Sequence, residues 1–430
     1  MSDNMNIDPS FLRGLTQARL SRRDLLKAAG AGAGVMGLGA FLAACGAGGG
    51  TPGSTASQAA DLFTGEPSGT LVFGNWPLYI DKEKNAQGQV VNPSLDLFTK
   101  DTGIKVNYKE TIQANESFFG KIQPQLEAGQ SIGYDIIVLT NGLILAKMVT
   151  LGYLEELPAD MRPNFDKYAG PHVKDPAYDP GNKYTMAWQS GLTSIGWDPV
   201  QIKQLRPDNP TITSIMDLFD PAFKGKVGMI GDNQDLPNTA LLAIGVEPET
   251  STPDDWQKAA DLLTKQRDDG IVRQYYEQNY IQALSNGDVA LTMAWSGDIF
   301  QANLSGDSQG LQFTVPPEGG IIWTDNMCVP TGVEHPVDAI TYMDYVYQPE
   351  VQAMIEEWVN YISPVPAAQA VVEADAAKAT GGDATYLNNV AKSTLVFPTV
   401  DQMSKFSTYR LLTEQEEVDW NNLFQPIYQG

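Results

Sequence analysis

The sequence predicts an α/β fold with mainly parallel sheets, and two observations support this prediction. The chain has 430 residues, of which 42% are hydrophobic, so it is long and apolar enough to bury a large core in about two to three lobes. From Leu71 onward, short apolar segments alternate with helical patterns, which is typical of parallel sheets covered by helices.

The individual elements follow in chain order. Gly103 and Gly129 mark the ends of two predicted helices. Thr252 is the predicted cap of a later helix, with Pro253 at its first position and acidic residues in its first turn. The predicted strands cover residues 71–73, 104–108, 135–139, 227–230 and 289–294, and the other predicted helices cover residues 93–102, 116–128 and 143–151.

The first 44 residues resemble an export signal. Arg22 and Arg23 lie in the segment SRRDLLK, which resembles a twin-arginine signal, and a Gly/Ala-rich apolar stretch follows it. The segment LAAC, which ends at Cys45, resembles a lipobox, in which the cysteine becomes the lipid-bearing N-terminus. Residues 45–66 would then form the lipidated cysteine and a flexible tether. We expect a domain anchored in the periplasm or at the outer face of the cytoplasmic membrane.

The charge balance is strongly acidic. The chain has 28 basic and 52 acidic residues, a formal net charge of −24, and removal of residues 1–44 leaves 23 basic and 49 acidic residues. Such a surface repels nucleic-acid phosphates and anionic lipid head groups, so neither is an expected partner. The acidity itself is typical of a soluble protein surface, and it leaves cationic ligands open.

No common catalytic or metal-binding motif occurs in the sequence. The two histidines, His172 and His335, lie in loop contexts, and zinc, phosphate-loop and serine-hydrolase signatures are missing. Cys328 lies in an apolar run and is expected to be a buried, unreactive thiol. We therefore expect no cofactor and no metal, although an enzyme that uses two scattered carboxylates stays open.

Aromatic and acidic residues cluster at the ends of the predicted strands. In open α/β sheets, ligands bind beyond the carboxyl ends of strands, so these side chains are expected to line one crevice. Carboxylates bind ammonium groups through charge-assisted hydrogen bonds, and the faces of tryptophan and tyrosine attract cations. The pattern therefore favours an extended organic cation as the ligand. The residues concerned are Trp76, Tyr79, Asp232, Asp235, Trp295, Trp323 and Asp325.

Several segments, in the same order and spacing, resemble the spermidine/putrescine-binding proteins, the solute receptors of polyamine ABC importers. They include LVFGNWPLYI from Leu71, YDIIVLT from Tyr134, NGDVALTMAWSGDIF from Asn286 and PPEGGIIWTDNMCVP from Pro316. The resemblance implies a bilobal type II periplasmic-binding-protein fold, with two mainly parallel-sheet lobes joined by two crossing strands. It places residues 67–191 and 325–369 in lobe 1 and residues 192–324 and 370–430 in lobe 2.

The resemblance also implies a function. A monomeric receptor without enzymatic activity would capture spermidine or putrescine by hinge closure and present it to ABC permease subunits. A receptor of the same fold for another amine-bearing or zwitterionic solute stays open, and an exported carboxylate-dependent hydrolase is a more distant alternative. The implied ligand-binding residues are Trp76, Tyr79, Thr140, Asp232, Asp235, Trp295, Trp323, Asp325 and Tyr361.

A few positions depart from the pattern that the resemblance implies. Asn141-Gly142 stands where a tyrosine is expected, so one aromatic wall of the cleft would be missing unless Trp188 compensates for it. Arg410 lies close to the position of an amide that contacts the ligand. An arginine that faces a polycation is costly, so either Arg410 points elsewhere or the ligand has an acidic or neutral group at that end.

Overall fold

The computed structural model describes residues 62–277, 279–305, 310–403 and 405–429. The predicted twin-arginine signal with Arg22 and Arg23, the lipobox and the lipid site at Cys45 lie outside the described residues. Within the described ranges, no helix is both long enough and apolar enough to cross a membrane.

A ten-stranded sheet runs through the molecule, and a two-stranded hairpin of β2 and β3 lies apart from it. The five predicted strands are all found, with ends shifted by at most two residues. The strands are β1 (Thr70–Asn75), β2 (Glu83–Lys84), β3 (Val90–Val91), β4 (Lys105–Glu110), β5 (Ile136–Thr140), β6 (Met186–Trp197), β7 (Val227–Ile230), β8 (Val272–Tyr276), β9 (Leu291–Trp295), β10 (Gln312–Thr314), β11 (Gly320–Cys328) and β12 (Phe406–Ser407).

Two groups of parallel strands form the two ends of this sheet, and two long antiparallel strands join them. Eight of its strands follow the order β4-β1-β5-β11-β6-β9-β7-β8, with β1 parallel to β4 and β5, and β7 parallel to β8 and β9. The other two strands lie off this path, where β10 pairs with β6 and β12 pairs with β11. The joining strands are β6 and β11, which pair with each other; β11 also pairs with β5, and β6 also pairs with β9. The predicted bilobal arrangement with two crossing strands is therefore confirmed.

Helices cover both groups of strands. The predicted helix at 93–102 is confirmed, and it ends at Gly103, whose φ of 80° suits a residue without a side chain. The predicted cap at Thr252 is also present, because the Asp255 carboxylate accepts hydrogen bonds from the Thr252 amide and hydroxyl. The helices are α1 (Pro93–Thr102), α2 (Asn115–Glu127), α3 (Leu143–Thr150), α4 (Pro163–Tyr168), α5 (Pro199–Leu205), α6 (Asp235–Ala243), α7 (Pro253–Asp268), α8 (Tyr280–Ser285), α9 (Ser296–Ser305), α10 (Pro336–Tyr345), α11 (Pro349–Val359), α12 (Ala368–Lys378), α13 (Gly381–Lys392), α14 (Val400–Met403) and α15 (Glu414–Gln429).

The C-terminal helices bear on the predicted lobe boundaries. Helix α12 packs on α11 and α13, and the Tyr386 hydroxyl in α13 donates to the Glu357 carbonyl in α11. Helix α15 packs instead on α7, where the rings of Trp420 and Trp256 are 5.2 Å apart. The boundaries themselves stay a prediction. This packing favours a return to lobe 2 after α13 rather than at residue 370.

Candidate functional site

The predicted ligand-binding residues lie where the two groups of parallel strands meet. Thr140 ends β5, Trp295 ends β9, and Asp235 begins α6 after β7. Trp323 and Asp325 lie in the crossing strand β11, which places them between the two groups. This is the edge at which the carboxyl ends of parallel strands converge, so the strand-end pattern in the sequence corresponds to a real cluster.

Asp325 is buried on the β5 side of this cluster. Its Oδ1 accepts a hydrogen bond of 2.6 Å from the hydroxyl of Thr140, its partner in the β5–β11 ladder. The Thr140 hydroxyl in turn accepts a bond of 3.0 Å from the Asn115 side chain. Burial raises the pKa of Asp325 to about 6, and the nearby charge of Asp235 adds to this rise.

Asp235 is buried on the opposite side and accepts three hydrogen bonds. Its Oδ2 receives the Thr193 hydroxyl at 2.7 Å and the Trp295 indole N–H at 2.9 Å. Its Oδ1 receives the Tyr409 hydroxyl at 2.6 Å. Burial raises the pKa of Asp235, and the three donors oppose that rise. Sequence patterns do not identify Tyr409, because it lies in a loop far along the chain from Asp235.

Asp298 is a third buried acid that the sequence reasoning missed. Its two oxygens receive the hydroxyls of Tyr280 at 2.7 Å and of Tyr361 at 3.1 Å. Asp298 lies in the first turn of α9, three residues beyond Trp295 at the end of β9. An acid in the helical turn after a strand was the criterion that selected Asp235, so the same signal could have found Asp298.

Aromatic rings connect the three carboxylates. The Tyr361 ring packs against Tyr79 at 5.6 Å and against Trp323 at 5.4 Å, both measured between ring centroids. The Trp323 indole N–H donates to the Thr193 hydroxyl at 3.2 Å, which links it to Asp235. Trp323 fits because residue 191 is glycine, where a Cβ would lie 2.3 Å from its ring. The aromatic side chains therefore form a continuous wall along the acids.

Asp232 has a clear structural role. Its Oδ1 accepts from the backbone amides of Gln234 at 3.0 Å, Asp235 at 2.6 Å and Leu236 at 3.3 Å, so it caps the start of α6. Burial raises the pKa of Asp232, and the charge of Asp235 adds to the rise. Its predicted contact with an amine stays a prediction, as do the ligand contacts of the other residues.

The structure shows what Trp188, Trp76 and Arg410 contact. Trp188 is only 1% exposed, packs against Phe73 and donates its indole N–H to the Tyr79 carbonyl, so it belongs to the core and does not replace a missing cleft wall. Trp76 is half-buried, and its indole N–H donates to the Val138 carbonyl at 3.1 Å. Arg410 points toward Glu416, whose carboxylate it contacts at 2.7 Å.

The two sides of the cleft also touch at its rim. The Asn141 side chain, just after β5, donates to the Thr408 hydroxyl at 3.3 Å, and Lys147 of α3 is 3.5 Å from Glu417 of α15. The described chain is thus in a closed arrangement. Across the same described ranges, no group of histidine, cysteine, aspartate and glutamate side chains is arranged to hold a metal ion.

Comparisons with known proteins identify similar sequences. A family model described as bacterial extracellular solute-binding protein matches residues 94–381. The putrescine/agmatine-binding protein of Pseudomonas aeruginosa is 30% identical over 316 residues, which cover 70% of this chain and 81% of that protein. The spermidine/putrescine-binding periplasmic protein of Salmonella typhimurium is 28% identical, over 72% of this chain and 81% of that protein.

Solved structures share the fold. A putative spermidine/putrescine ABC transporter from Listeria monocytogenes superposes with a TM-score of 0.66 at 23% identity, covering 84% of this chain and 99% of that chain. A spermidine/putrescine ABC transporter substrate-binding protein from Streptococcus pneumoniae has a TM-score of 0.67 at 21% identity, with the same coverage of 84% and 99%. At these identities, the likeness concerns the two-lobed fold.

Proposed function

The chain belongs to the bacterial extracellular solute-binding proteins, and on that basis we propose that it captures a polyamine, putrescine or spermidine, for an ABC importer. The observation that supports this proposal is the set of three buried carboxylates, Asp235, Asp298 and Asp325, beside a continuous aromatic wall. The relatives named above for putrescine, agmatine and spermidine point to the same class of ligand.

A polyamine matches the chemistry of this cleft. Burial disfavours the charged form of a carboxylate, as the raised pKa values of Asp235 and Asp325 indicate. An ammonium group offsets this cost because it supplies an opposite charge and several hydrogen-bond donors. The methylenes between two ammonium groups would pack on the aromatic rings, which also attract the cations by about 0.5 to 2 kcal/mol per contact.

Capture would proceed by hinge closure. The strands β6 and β11 join the two lobes, so a rotation about them would open and close the cleft. The ligand would bridge acids of both sides, and the closed form would present both lobes to permease subunits. The molecule would bind its solute without chemical turnover.

The N-terminal motifs complete the proposal. Export by the twin-arginine route would use Arg22 and Arg23, and lipidation of Cys45 would hold a monomeric receptor in the periplasm or at the outer face of the cytoplasmic membrane.

Calorimetric titration with putrescine and spermidine tests the ligand assignment. We expect heat of binding with the wild-type protein and a loss of affinity of about a hundredfold in Asp325→Asn, because the neutral amide removes a buried charge pair with the amine. Asp269→Asn is a matched control, since Asp269 is an exposed aspartate at the end of α7, paired with Lys265. It should bind like the wild type.

Two outcomes would contradict the proposal. If neither putrescine nor spermidine gives heat of binding, and an amino acid or another zwitterion binds, the cleft belongs to a receptor for a different class of solute. Mass spectrometry of the amine after long incubation with the protein should recover it unchanged, and a modified product would indicate an enzyme.

A further inference from the structure

We propose that Gln234 forms the end wall of the ligand cleft and thereby limits the length of the amine that the protein accepts. This inference rests on the proposed function, since it takes an amine as the ligand. It concerns the side of the cleft at which Asp235 lies, and it depends on three observations: the bonds of Gln234, the backbone of Gly142 and the cavity beyond them.

The Gln234 side chain bridges the two sides of the cleft. Its Nε2 donates to the Asn141 carbonyl at 3.2 Å, and its Oε1 accepts from the Leu143 amide at 3.3 Å. Gln234 directly precedes α6, whereas Asn141 and Leu143 link β5 to α3. Both the Nε2 and the Oε1 of the Gln234 side chain therefore form hydrogen bonds across the cleft.

Gly142 provides the space in which Gln234 docks. Its φ of 128° lies in a region that residues with side chains rarely adopt. A Cβ at this position would also lie only 2.5 Å from the Gln234 Oε1. Gly142 stands where the resemblance implied a tyrosine. The space beside this glycine is therefore occupied by the Gln234 side chain from the opposite side of the cleft.

Gln234 lies next to a carboxylate and next to a second space. It directly precedes Asp235 in the chain, and its side chain bonds the Tyr409 hydroxyl, which donates to Asp235. Gln234 and Tyr409 also line a small cavity. The remaining residues that line this cavity are Gly142, Leu143, Asn233, Asn238, Arg410, Leu412 and Trp420.

This cavity is small, with a volume of about 20 Å³. Within the described structure, the Asn238 Oδ1 and the Arg410 Nε are buried and have no hydrogen-bond partner. The contact between Arg410 and Glu416 balances the arginine charge. With Gln234 in place, the ammonium of a short diamine ends at Asp235. Removal of its side chain would join the cleft to the cavity.

Calorimetry with diamines of increasing length tests this inference. The probes are putrescine, hexanediamine and octanediamine, and the variant is Gln234→Ala. We expect the affinity for putrescine to fall about tenfold, because two hydrogen bonds that hold the closed form are lost. Octanediamine should lose less or gain, so that the ratio of the two affinities shifts about tenfold or more toward the longer amine.

Two further variants make the result specific. Gln234→Asn keeps the amide but is one methylene shorter, so its shift should be intermediate. Gln257→Ala removes a glutamine on the exposed face of α7, where it bonds Asp261, and its length profile should equal that of the wild type. Circular dichroism establishes that each variant is folded.

The possible failures are distinguishable. If folded Gln234→Ala keeps the wild-type order and ratio of affinities along the diamine series, Gln234 does not limit ligand length and the inference is wrong, while the proposed function stands. If the wild-type protein binds neither these diamines nor spermidine, the proposed function fails and the inference falls with it.

Discussion

At the scale of single residues, the buried acids differ in how many donors they already have. Asp235 accepts hydrogen bonds from Thr193, Trp295 and Tyr409, so these donors compensate part of the cost of burying its charge. Asp325 accepts one from Thr140, and the buried Tyr79 hydroxyl is its other close neighbour. An incoming ammonium therefore gains most at Asp325.

The state of Asp325 predicts how amine binding depends on pH. Burial raises the pKa of this carboxyl to about 6, so it becomes neutral as the pH falls through that value, while the amine stays charged. We expect the affinity for putrescine to fall by up to about tenfold per pH unit below about pH 6. Calorimetry at constant ionic strength, from about pH 8 to about pH 5, measures this.

A second readout checks the assignment of that proton. Near pH 6, binding should release protons, which appears as a dependence of the measured heat on the ionisation enthalpy of the buffer. An affinity that is the same at about pH 7 and about pH 5 would contradict the predicted role of Asp325.

At the scale of elements, the strand-to-helix junctions place the acids. Helix α6 begins after a four-residue turn that follows β7, and Asp232 in this turn caps the helix through three backbone amides. The cap holds the first turn of α6, which contains Asp235.

Strand β9 was predicted at 289–294 but runs from Leu291 to Trp295, because its ladder with β6 begins opposite Trp197. Where a strand begins and ends depends on its pairing with a strand distant in the sequence, and local sequence patterns carry no information about that pairing.

Because Asp232 caps α6, we expect two substitutions of this residue to differ in their effect on stability. Asp232→Ala removes the acceptor and should lower the free energy of unfolding by about 1 kcal/mol. Asp232→Asn keeps an oxygen that accepts from the same amides, so it should retain most of that stability. Urea unfolding, followed by tryptophan fluorescence, measures both variants.

Amine titration of the same pair addresses the predicted ligand contact. A stable Asp232→Asn that loses affinity for putrescine would support a direct contact with the amine. Equal destabilisation by both substitutions would show that the carboxylate charge, rather than an oxygen acceptor, is what α6 requires.

At the scale of the whole molecule, the acidic surface acts on the approach of the ligand. The chain has 52 acidic and 28 basic residues, and only three of the acids form the proposed amine site. The others contribute a negative field that raises the local concentration of cations. Recognition and attraction are therefore separate properties of this protein.

That field predicts a salt-dependent rate of association. Stopped-flow tryptophan fluorescence should show that the rate constant for putrescine falls several-fold between about 0.01 M and about 0.15 M salt, since screening shortens the reach of the surface charges. A rate that does not change with salt would indicate that opening of the cleft, and not encounter, limits capture.

The sequence by itself determined the α/β class, the order of the strands and helices, and the family resemblance, because hydrophobic periodicity and turn residues are local properties of the chain. It also located Asp235 and Asp325, since acids after strands converge at one edge of a sheet. Tertiary structure alone decided which side chains meet there. It put Trp188 into the core, turned Arg410 toward Glu416, joined Asp298 to Tyr361 and seated Gln234 on Gly142. Apart from the Arg410–Glu416 pair, these contacts join segments far apart in the chain, so they depend on how the whole chain packs and no local pattern contains them.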